Sequence, residues 1–187
     1  MTSPPYGDNK STVPYGQSAY LPLHWIDLGD IDDETSSAVL KTTHEIDRMS
    51  LGGQRPRWPD VEKLHVLRKY SPSLDKLLRR LARTPHDRTT RVVGFVRDLA
   101  AALPKLLSAV RVNGYLVWTI GNRRVGGSEV PLADILSELL CQRSAILLGR
   151  CTRRIPQKRM AIRNSISGTI RTEHLLVFRR VPATLVR

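Results

Sequence analysis

From Thr90 to the carboxyl end, apolar segments of helix length and of strand length take turns, and that alternation most constrains the fold. RVVGFVRDLAAALPKLLSAVR has helix length, with Pro104 inside it as a kink point and Asn113-Gly114 after it in the manner of a left-handed C-cap. YLVWTIG follows at once. It is short, continuous and rich in β-branched and aromatic residues, the pattern of a strand buried on both faces of a parallel sheet. EVPLADILSELLCQRS reads as the next helix, with Pro131 near its first turn and Glu129 and Asp134 towards its positive end. SAILLGRCTRRI and EHLLVFRRV read as two further strands joined by a basic loop. Strand, helix, strand in 187 residues predicts one open α/β sheet, and 41% hydrophobic residues suffice for one core.

The upstream half is less regular. Residues 1–25 read as a Pro/Gly/Tyr-rich extended loop. Residues 27–60 are polar, with one short helix over Glu34 to Arg48 that stops at Gly52-Gly53, before the turn-rich QRPRWPD. After VEKLHVLRKY and a break at Ser71-Pro72, SLDKLLRRLAR sets Leu74, Leu77, Leu78 and Leu81 opposite Lys76, Arg79, Arg80 and Arg83. Such a helix can bind phosphates, but core packing with a solvated basic face is the favoured reading. The expected organisation is one domain over 1–187: a loop to 25, a helical and irregular insertion over 27–90, and sheet with helices over 91–187.

Charge is segregated. The net charge is +13, and residues 150–187 hold nine Arg and one Lys against the single Glu173, whereas residues 21–47 hold seven acids against Lys41. A basic end points to a polyanion such as nucleic acid, and Arg153, Arg154, Lys158, Arg159 and Arg163 are the candidate contacts. Some of them could instead pair with acids such as Glu129 and Glu138. Cys141 and Cys151 fit no metal spacing and read as buried or incidental thiols of a reducing compartment. No signal-like or bilayer-length apolar run is present, so a cytoplasmic protein without a membrane partner is expected.

The chain opens MTSPPYGDN. Proline fixes its own φ and keeps its predecessor out of the helical region, so Ser3-Pro4-Pro5-Tyr6 is rigid and extended, its carbonyls free of helix bonding. A hydroxyl at Ser3 and a flat apolar ring at Tyr6 beside those carbonyls suit a planar ring carrying an amino group. Asp8, Asn9 and Tyr15 share the segment and either contact that ligand or cap turns.

Ser3-Pro4-Pro5-Tyr6 resembles the catalytic motif of the DNA amino-methyltransferases, and Ser in its first position is closest to the cytosine-N4 branch, ahead of adenine-N6. That first-position Ser also departs from the NPPY-type RNA enzymes, which usually carry Asn there. NGYLVWTIGNRR is similar to the family's next strand and loop, and RRIPQKRM with TIRTEHLLVFRR is similar to its closing hairpin. The resemblance implies a partial Rossmann-like methyltransferase sheet, S-adenosylmethionine as methyl donor and double-stranded DNA as substrate. It also implies roles: Ser3 and Pro4 accept from the base amine so that its nitrogen can attack the donor methyl, Pro5 stiffens the loop, and Tyr6 stacks on a flipped base.

One family feature is missing. The F-x-G-x-G turn that holds the donor is absent, because Gly126-Gly127 in GNRRVGGSEVP has the wrong spacing and follows the wrong strand. Only Met1 and Thr2 precede the motif where an apolar strand is expected. The chain therefore reads as the carboxyl-terminal half of a methyltransferase, beginning at the catalytic motif, with a second chain or upstream segment supplying the rest. The alternative is a non-catalytic DNA-binding remnant or subunit.

Overall fold

The computed structural model describes residues 1–4, 15–30, 37–54, 65–82, 86–125, 127–155 and 172–182, with backbone alone at 15 and 86–88. Three leucines organise its helical layer. Helix α4 (Pro72–Leu81) starts at Ser71, whose hydroxyl accepts from Leu74 N, and Pro72 in the first turn has no N–H to leave unbonded. Leu74, Leu77 and Leu81 are then fully buried while Arg79 and Arg80 face solvent, as expected for a core-packing helix. A short helical piece, α3 (65–70), precedes it. Helix α5 (His86–Ala109) continues through Pro104 and buries Val92, Val93, Phe95, Val96, Leu99 and Leu103.

Strand β1 (Tyr115–Gly121) enters through a tight turn in which Gly114 N donates to Arg111 O, with Asn113 at φ 63. Asn113-Gly114 is thus a strand-entry turn four residues beyond the helix end, and not the expected cap. Residues 123–130, expected as loop and helix start, form a hairpin of β2 (Arg123–Val125) and β3 (Ser128–Val130), with Gly127 at φ +80 in its turn. Glu129 therefore lies in a strand, and helix α6 (Leu132–Cys141) begins after Pro131. Strands β4 (Ala145–Arg154) and β5 (Thr172–Arg180) complete a sheet of order β1-β5-β4.

The antiparallel pairing of β4 with β5 is that of the expected hairpin, whereas β1 departs from expectation. It too runs antiparallel to β5, and it alternates between buried Leu116, Trp118 and Ile120 and more accessible Tyr115, Val117 and Thr119. A strand covered on one side can be as apolar as a doubly covered one when its outer residues are Val, Tyr and Thr, so composition misleads here. The parallel contact comes from elsewhere: Thr2 bridges to Trp118, with Thr2 N donating to Val117 O at 2.9 Å and Thr119 N donating to Thr2 O at 3.0 Å.

The amino-terminal region is more helical than its composition suggests. Tyr15–Leu23 forms helix α1 where an extended loop is expected, with Pro22 in its last turn. Gly16 makes it possible, because its N–H donates to Asp47 Oδ1 and a Cβ there would lie 1.9 Å from Thr43 O. The expected helix over Glu34 to Arg48 is also shorter: Ser37–Leu40 is a separate 3-10 turn, and α2 (Thr43–Met49) starts only where the Thr42 hydroxyl accepts from Glu45 N. Gly52, at φ +75, then carries the chain against Phe95, and its N–H donates to Asp98 of α5.

Candidate functional site

The parallel bridge at Thr2 fixes where the opening motif goes. Ser3 and Pro4 leave it in the direction in which β1 runs, towards Gly121. Ser3 is exposed and Pro4 is buried; Pro5, Tyr6, Asp8 and Asn9 lie outside the described residues. At the same end β4 finishes with Arg153 and Arg154, and β5 starts with Thr172 and Glu173, because Gly121, Glu173 and Arg153 are register partners. The fold thus brings the start of the SPPY segment and both anchors of the basic hairpin to one end of one sheet, although the sequence separates them by some 150 residues.

The candidate phosphate contacts divide. Arg153 Nε and Nη2 donate to Glu173 Oε2 at 2.9 and 2.6 Å, across the strands, while its guanidinium stays mostly exposed. Arg154 is exposed at the strand end, and Lys158, Arg159 and Arg163 lie outside the described residues. Of the described cations, neither Arg153 nor Arg154 pairs with Glu129 or Glu138. Glu129 accepts from Asn122 Nδ2, and Glu138 accepts from the hydroxyls of Ser71 and Ser73, tying α6 to the start of α4. On the second basic face, Asp75 takes both Arg68 and Arg79, which hold its carboxyl below the usual carboxylate range.

A polar group that sequence reasoning missed lies beneath this end of the sheet. His174 is 7% exposed; Thr152 Oγ1 lies 3.0 Å from its Nδ1, and Arg150 stands over it while donating to Asp134 of α6 at 2.5 Å. Burial and then the Arg150 charge push the imidazole below its ordinary value, against the weaker pull of Asp134 and Glu129. Asn122 completes the bracing, since its Oδ1 accepts from Ala133 N at 3.3 Å in the first turn of α6, where Pro131 offers no cap. Reading SAILLGRCTRRI and EHLLVFRRV simply as strands leaves such a cluster unseen. Its only signal is the polar residues in TEH and CTRR at period two.

Met1, Thr119, Cys151, Arg153, Glu173, His174 and Leu175 line a cavity of about 260 Å³ at this end of the sheet. Cys151 and Cys141 are free and exposed, which leaves the incidental of the two expected readings. Gly16 and Gly53 press on the chain's own carbonyls, and Gly127 turns a hairpin in open space. No described helix is long and apolar enough to cross a membrane.

The chain is similar to a Type II methyltransferase, M.MvaI, of Kocuria varians, at 33% identity over 171 residues, which is 91% of this chain and 36% of the relative. It therefore spans about a third of the length of the curated relative it matches. No family model and no solved structure matches it.

Proposed function

The chain belongs to the DNA methyltransferase family, and we propose that it carries the base-handling part of such an enzyme, acting on the exocyclic amine of a flipped cytosine. The observation that carries this reading is the convergence, at one sheet end, of the Ser3-Pro4 loop start and the anchors of the basic hairpin. The amine of a nucleobase is a poor nucleophile because its lone pair is delocalised into the ring. Acceptors placed on its hydrogens, the Ser3 hydroxyl and the Pro4 carbonyl, draw that pair back onto nitrogen. Tyr6 stacks on the extruded ring, and Arg154, Lys158, Arg159 and Arg163 neutralise backbone phosphates that hold the duplex in place.

S-adenosylmethionine is the methyl donor that this family implies, and the residues present do not make its site. The sequence has no F-x-G-x-G turn. Donor binding is therefore assigned to a further segment, within a Rossmann-like sheet of which this chain forms one half. The absence of that turn also supports a second reading, a DNA-binding remnant or subunit without catalysis.

Transfer of labelled methyl groups to duplex DNA, measured with and without a segment carrying the glycine turn, separates the two. The catalytic reading expects transfer with the segment and its loss in Ser3→Ala. DNA binding without transfer in any combination leaves the remnant reading.

A further inference from the structure

The two faces of the β1-β5-β4 sheet differ in exposure. Leu116, Trp118, Ile120, Leu176 and Phe178 face the helical layer and are buried. On the other face the register aligns Tyr115, Val117, Ile146, Leu175 and Val177, and Tyr115, Ile146 and Leu175 are 63%, 42% and 36% exposed. The same face also carries Thr119, Cys151, Arg179 and, at one end, the Arg153–Glu173 pair, in which Glu173 is buried. The outer edge of β1 is equally open: beyond the single Thr2 bridge, the backbone groups of Tyr115 point away from β5 with no described strand beside them. An exposed apolar patch on a sheet face, continuous with an unpaired edge, is a surface built for another chain segment.

We propose that this face and edge form one docking surface, and that its occupant is the remainder of a methyltransferase fold, which sets a strand parallel to β1 and lays an apolar helix across Val117, Leu175 and Val177. The inference rests on the half-enzyme reading above and names the surface on which the halves meet. Two observations select this occupant. The Thr2 bridge already commits the β1 edge to a parallel neighbour, and a parallel strand comes with a crossover helix that must lie on a sheet face. About two thirds of the Kocuria varians relative, moreover, lies outside the matched region, enough chain for such a layer. The cavity lined by Met1, Thr119, Cys151 and Leu175, with Arg153, Glu173 and His174 also on its wall, gives an incoming side chain a place to insert.

Cys151 lies on this face and Cys141 ends helix α6 on the other side of the sheet, so the two exposed thiols are a probe and its internal control. The test is to express the full chain together with the part of the Kocuria varians relative outside the match, then measure complex formation by size exclusion and thiol labelling by mass spectrometry. A one-to-one complex is expected, with Cys151 labelling slowed about tenfold or more and Cys141 unchanged, since a tenfold change needs only ~1.4 kcal/mol of protection. The exposed-face pair Ile146→Lys and Leu175→Lys should abolish the complex while leaving the melting temperature of the chain close to wild type. Failure to associate, equal labelling of Cys151 in free and bound chain, or unimpaired association of the lysine pair overturns the proposal. So does protection of Cys151 that rises with the concentration of this chain alone, which makes a second copy the occupant. Methyl transfer is not read in this experiment, so an inactive complex that protects Cys151 would sink the catalytic reading and leave the docking surface standing.

Discussion

Ser3 sets a sharp test because its role and its fold contribution separate. It is exposed and follows the last bridging residue, so Ser3→Ala should move the melting temperature little. In the completed enzyme the same substitution should lower turnover about a hundredfold, the effect of losing one preorganised hydrogen-bonding group, and change DNA affinity little. Near-normal methylation by that variant would remove Ser3 from the chemistry. His174 gives a second residue-scale expectation. Its folded pKa is depressed, so the unfolded chain binds the proton first, and the stability it contributes is full above the ordinary histidine value of about 6.5 and falls as pH drops through it. Melting temperature should therefore fall on acidification towards about pH 5.5, and less steeply in His174→Gln; a wild-type chain that gains stability there would contradict the assignment. The SPPY motif was legible because its rigidity is local to four residues. The Arg153–Glu173 pair and the His174 cluster were not, because each depends on a strand register that no local rule sets.

At the scale of elements, the hairpin β4–β5 carries the electrostatic prediction. Arg153 is held by Glu173, whereas Arg154 is exposed at the strand end, so Arg154, Lys158 and Arg159 are the substitutions to make. Changing all three to Gln should weaken binding to every duplex sequence alike and flatten the slope of log affinity against log salt by about 2 to 3, at about 0.9 per phosphate contact. An unchanged slope would move the DNA-facing surface to the basic face of α4. Helix α4 should respond to its two faces differently: Leu77→Ala, in a fully buried position, should cost about 2 to 5 kcal/mol, and Arg80→Ala on the solvent side less than about 0.5 kcal/mol in chemical denaturation. The type of each element from Pro72 onward was readable from periodicity, apart from the β2–β3 hairpin. Strand direction was not, because antiparallel and parallel neighbours accept the same apolar run. Helix α1 escaped detection because YGQSAYLPL contains a glycine and a proline, and its stability comes from the Gly16 approach to α2 rather than from propensity.

For the whole molecule, the one-sided sheet and the missing glycine turn make a joint prediction. A sheet with one apolar face in water keeps its helical core, since Leu74, Leu77, Phe95, Leu136 and Phe178 are sealed from solvent without any contribution from the open side. The isolated chain should accordingly show helix and strand by circular dichroism, bind a hydrophobic dye through the face around Val117 and Leu175, and self-associate as its concentration rises. It should also fail to bind S-adenosylmethionine in calorimetric titration, because dye binding needs only exposed apolar area whereas donor binding needs a shaped turn. A dissociation constant in the micromolar range for the donor would show that a site exists within these residues and would defeat the half-enzyme reading. A monodisperse monomer that melts cooperatively and ignores the dye would instead show that the open face is closed by the chain itself. The two failures are independent, so the pair distinguishes a chain that lacks a ligand site from one that lacks a structural partner.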